Sequence, residues 1–102
     1  MWGNAMVKYL RDHIKEEIEG AKDYYTKAVE CKAKRPEVAM KFYAMAEMEI
    51  EHANALTRIF NMTEKPETMS DSEYSEAQKS VINDYATSMS VIENLKKLYH
   101  TS

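Results

Sequence analysis

The chain has 102 residues, a net charge of −3, one cysteine, two glycines and two prolines. Charge this mild and dispersed lacks the basic patch of a nucleic-acid binder. Cys31 alone makes neither a disulfide framework nor a thiolate metal cluster, and no apolar run is long enough to span a bilayer.

Met1–Leu10 has no apolar core or cleavage site of a signal peptide, so the expected setting is the cytoplasm, with no membrane partner. Abundant Ala, Glu, Lys and Met with so little Gly and Pro point to a few long helices in one domain, 1–102. The spacing predicts a first helix over residues 5–34. Val7, Leu10, Ile14, Glu17, Ala21, Tyr24, Ala28 and Cys31 follow an alternating three- and four-residue stripe. Asn4 is the expected N-cap, and Lys32, Lys34 and Arg35 suit the C-terminal end. Glu17 breaks the pattern: it is an acid where the stripe asks for an apolar residue.

Pro36 fits the first turn of a second helix over 37–61, because its missing N–H would be unpaired there anyway. Val38, Phe42, Met45, Leu56 and Ile59 form its stripe, predicted as the buried face, and Glu49 and His52 fall within it. Three residues apart, Glu49 and His52 share one face of the helix. Met62–Ser70 contains Pro66 and no periodicity, so a loop is expected there. Ser70 and Glu73 then match a capping box. A third helix over 71–99 carries the looser stripe Tyr74, Ala77, Val81, Tyr85, Ser88, Ile92, Leu95 and Tyr99. The expected fold class is all-α: an antiparallel two-helix hairpin plus a third helix.

A carboxylate and an imidazole set into an apolar stripe are costly unless something pairs with them. A metal ion is one such partner. Glu17 lies roughly 17 residues before the turn and Glu49 about 14 after it, which at about 1.5 Å per residue puts them at similar heights on facing helices. Two carboxylates and an imidazole suit iron, manganese or zinc. A di-iron carboxylate site in a four-helix bundle needs a Glu from each of two helices and a Glu-x-x-His pair from each of the other two. One chain supplies half of that set, and a two-fold homodimer supplies all of it. The competing reading is a structural or adaptor protein, a helical oligomer whose inward Glu and His set register or bind a structural divalent ion.

These residues resemble a known group. Glu49-Ile50-Glu51-His52, together with Glu16-Glu17-Ile18-Glu19 and the later Tyr24, is similar to the ferritin-like superfamily in its rubrerythrin branch, above all to the encapsulated half-length ferritins. The likeness covers residues 10 to 60 or so. It implies two chains dimerising into a ferritin-like four-helix bundle, within a ring of dimers and an enclosing protein shell. It further implies a di-iron ferroxidase centre that oxidises Fe²⁺ with O₂ or peroxide for iron storage or detoxification. By the same resemblance Glu17, Glu49 and His52 are metal ligands, Glu16 and Glu19 form a metal entry site, and Tyr24 supports the ligands by hydrogen bonding. Three features of this sequence depart from the group's relatives, the first a third helix longer than their short C-terminal one. The tail Lys96–Ser102 carries no shell-targeting peptide, and there is no Cys-x-x-Cys pair for a rubredoxin-like iron.

Read without the resemblance, Glu16 and Glu19 are a solvated face and Tyr24 is packing. The methionines, among them Met40, Met45 and Met48, are flexible core filler rather than copper ligands. His13 is a flanking surface histidine, and His100 is an uninvolved residue of the tail.

Overall fold

The computed structural model describes residues 3–101, which form three α-helices and, among the described residues, no strand. Helix α1 runs Asn4–Cys31, α2 runs Pro36–Met62 and α3 runs Asp71–Thr101.

The helix ends have local causes. Gly3, not Asn4, is the N-cap of α1, and Asn4 is the first helical residue. Asn4 Oδ1 instead accepts a hydrogen bond from the Thr68 hydroxyl at 2.9 Å, which ties the α2–α3 loop to the start of α1. The C-terminal end comes earlier than expected. Residues 32–35 form a tight turn in which the Arg35 N–H donates to the Cys31 carbonyl at 2.7 Å. Pro36 opens α2. The start of α3 is a capping box: the Glu73 N–H donates to Ser70 Oγ at 3.1 Å, and the Ser70 N–H donates to Glu73 Oε1 at 3.3 Å.

Helix α1 is the central element. The hairpin turn sets α2 antiparallel to it, and α3 runs parallel to it. Thr68 meets Asn4 at one end of the molecule, and at the other Lys32 donates to the Tyr99 carbonyl and sits 4.5 Å over the Tyr99 ring. Side chains join α3 to α2. Thr57 Oγ1 donates to the Tyr85 hydroxyl at 3.0 Å, and that hydroxyl donates to Asn54 Oδ1 at 3.0 Å. His100, expected in a loose tail, lies within α3 with Nε2 3.1 Å from the Tyr43 hydroxyl. Even the connecting loop is pinned, since Thr63 is buried and its carbonyl accepts from the Tyr74 hydroxyl at 3.0 Å.

The core joins Leu10, Ile14, Ile18 and Tyr25 of α1 to Ala46, Ala53 and Phe60 of α2 and to Ala77, Val81 and Ile92 of α3. From the stripe expected on α2 it takes the partly buried Leu56 at its margin, and its buried positions lie elsewhere. The buried residues there are Ala39, Ala46, Ala53 and Phe60, while Met45, His52 and Ile59 of the expected stripe are exposed. Phe42, Glu49 and Leu56 are half-buried. The correction has a steric reason. The distance between helix axes depends on the side chains at the contact, and alanines seven residues apart let two backbones approach closely. The small residues therefore form the seam, and the larger ones turn away from it. On α1 the difference is one residue: Ile18 and Tyr25 are buried, and Glu17, Tyr24 and Cys31 stand at the edge. The α3 stripe is as expected, with Ala77, Val81, Ser88, Ile92 and Tyr99 buried.

The molecule measures 54 × 20 × 15 Å, and its thinnest dimension is less than two helix diameters of about 10 Å each. Helix α3 packs mainly on α1, and the side of the hairpin that carries Met45, His52 and Ile59 of α2 stays open. No helix among the described residues is long and apolar enough to cross a membrane.

Candidate metal centre

That open side holds the anomalous residues of the sequence. One ligand atom each from Glu17, Glu49 and His52 lie within 4.8 Å of one another. Mid-helix α1 brings Glu17, and α2 brings Glu49 and His52 from successive turns. Antiparallel packing sets all three at one height, as counting outward from the turn implies. Glu17 and Glu49 are half-buried and His52 is exposed, so the group sits at a surface, not inside a closed core.

Its electrostatics are unbalanced. Glu17 Oε2 lies 3.5 Å from His52 Nδ1, an ion-pair distance, yet it is buried and has no hydrogen-bond partner among the described residues. Leaving a buried acceptor unpaired costs about 1–3 kcal/mol. Glu49 is pushed up from 4.5 to about 7. Hydrogen bonding with the Glu17 side chain is the largest cause, followed by burial and the charge of Glu17, while His52 pulls the other way. Two carboxyl groups crowded beside one imidazole thus retain a proton near neutral pH. A divalent cation would replace that proton and satisfy the unpaired oxygen. Carboxylate oxygens with a single imidazole nitrogen are a donor set for iron, manganese or zinc. The residues fit such an ion.

The remaining candidates stand apart from this group. Glu16 is exposed, and Glu19 is exposed and paired with Lys22 at 3.3 Å. Tyr24 makes no hydrogen bond among the described residues; its ring stacks on Phe42 with centroids 6.1 Å apart. His13 stacks on Tyr9 at 3.9 Å, and its Nδ1 is 2.9 Å from the Tyr9 carbonyl, so it is held on the surface of α1.

One residue beside the group is absent from the candidates named by sequence. Gly20 follows Glu17 by one turn, and a Cβ built there would stand 2.9 Å from Glu49 Oε2. Glycine inside a helix costs roughly 0.5–1 kcal/mol relative to alanine. In a chain with only two glycines, one in mid-helix was the available signal.

Three long helices with a carboxylate–imidazole group on the open side of a hairpin define an all-α protein with a candidate metal site. The chain belongs to the rubrerythrin family, which matches residues 8–101 and so takes in α3 as well as the hairpin. No curated protein and no solved structure matches the chain.

Proposed function

We propose that the protein is a di-iron ferroxidase whose site is completed by a second copy of the chain. Fe²⁺ is the substrate, each ion giving one electron to O₂ or peroxide, and the role is iron storage or detoxification. The observation that carries this reading is the convergence of Glu17, Glu49 and His52 within 4.8 Å, on a side of the hairpin that the chain's own third helix leaves open.

The count of ligands supports the dimer. Two carboxylates and one imidazole per chain become four and two around a two-fold axis, the set a di-iron carboxylate bundle uses. So does the surface around them. Met45, Met48 and Ile59, on the same helix as Glu49 and His52, are 40%, 53% and 39% exposed. Large apolar side chains left open beside unsatisfied polar groups mark a contact surface. Packing two hairpins through this side would bury those residues and leave each α3 on the outside.

Within the dimer the carboxylates of Glu17 and Glu49 hold the ferrous ions and offset their charge as it rises on oxidation. His52 supplies the neutral nitrogen. Binding must displace the proton held by Glu49, so uptake releases acid and tightens as pH rises. Manganese or zinc would be held by the same atoms, and iron is the ion that supplies the redox chemistry. The test is anaerobic Fe²⁺ loading followed by O₂. Wild-type protein is expected to take up iron and develop ferric absorbance, with both lost in Glu49→Ala and His52→Ala. Uptake unchanged in either variant, or none in the wild type, would reject the proposal.

A further inference from the structure

We infer that Gly20 is a positioning residue of this site, a notch in α1 that seats the Glu49 carboxylate beside Glu17. The inference rests on the assignment of Glu17, Glu49 and His52 as metal ligands. Gly20 has no conformational reason to be glycine: it lies within a continuous helix, and no described residue has a positive φ. Space is the reason. A Cβ at Gly20 would stand 2.9 Å from Glu49 Oε2, 3.5 Å from its Cδ and 3.8 Å from its Cγ. The carboxyl group and its stem therefore lie against bare backbone. Gly3, the other glycine, has nothing within 4 Å of such a Cβ.

Glu49 is the free end of a flexible side chain, whereas the Gly20 backbone is held in the middle of a 28-residue helix. If a methyl group is added, the carboxylate moves and the helix stays. Substitution should thus separate folding from metal binding. Alanine is the better helix former and restricts the unfolded chain, so the fold keeps or gains stability. The displaced carboxylate no longer shares its position with Glu17 and His52, so the ion is held less well. A group that orients a ligand without touching the metal is typically worth about 10- to 100-fold in affinity.

The experiment measures anaerobic Fe²⁺ affinity and the thermal unfolding of metal-free protein for wild type, Gly20→Ala, Glu49→Ala and the double variant. Gly20→Ala is expected to bind Fe²⁺ about 10- to 100-fold more weakly than wild type while melting no lower. The same substitution should raise the melting temperature more in the Glu49→Ala background, where no carboxylate has to move. Fe²⁺ affinity equal to wild type overturns the inference, and so do equal melting shifts in the two backgrounds. If wild-type protein binds no Fe²⁺, the ligand assignment fails separately. The melting shifts then decide the notch alone, unequal supporting it and equal refuting it.

Discussion

On one side of α2, Ala39, Ala46, Ala53 and Phe60 are sealed in the core; on the other, Met45, His52 and Ile59 stand exposed around a half-buried Glu49. The sealed side holds small residues and one large ring, with no polar side chain among its buried positions. The open side holds larger apolar residues and Glu49, which faces the unpaired Glu17 oxygen of α1. Folding of one chain accounts for the first side. It does not account for the second, where large apolar groups lie exposed near crowded carboxylates. The difference teaches that the two sides differ in what covers them: α1 and α3 cover the first, and the function proposed above assigns a metal ion and a second chain to the second.

Substitutions can break that distinction. The largest effect on stability should come from the sealed side. Phe60→Ala is expected to cost about 3–5 kcal/mol in denaturant unfolding. Its effect on Fe²⁺ affinity should be small where the variant is folded. A large loss of affinity with little loss of stability would mean the two sides are not independent.

A smaller effect of opposite sign is expected from the open side. Glu17→Leu removes the unpaired buried oxygen, and metal-free protein should gain about 1 kcal/mol while losing metal binding. Destabilisation by this variant would show that Glu17 is a structural partner and not a ligand in waiting.

A further effect is a pH dependence. Glu49 is raised from 4.5 to about 7 in the folded chain, so its favourable contribution is complete below 4.5 and is lost as pH rises through about 7. Metal-free protein should therefore lose stability over that range, and Glu17→Leu, by removing the largest cause of the shift, should make the curve shallower. Denaturant melts at a series of pH values in chelator would show it. Stability rising over the same range, with no change in the variant, would contradict the crowding of the two carboxyl groups.

Much of this was legible in the residues themselves. Pro36 and the Ser70–Glu73 box act within one turn of the chain, so their roles needed no tertiary information. Glu17, Glu49 and His52 were legible because polar residues in an apolar rhythm have few explanations, and equal distance from the turn put them at one height. Which side of α2 is buried was not legible. Two stripes run side by side on α2, and the one with larger apolar residues looked like the core, although Ala39, Ala46 and Ala53 make the closer contact. Ile18 and Tyr25 were missed on α1 for the same reason, being one position from the expected stripe. Gly20 acts through a side chain 29 positions away, a relation visible only once the helices are packed.

The most direct test is the mass of the assembly with and without metal. Native mass measurement in chelator, then after anaerobic Fe²⁺, should show a shift from monomer to dimer carrying about two iron ions per dimer. A monomer that binds Fe²⁺ without associating, or an oligomer indifferent to chelator, would contradict a site shared between two chains.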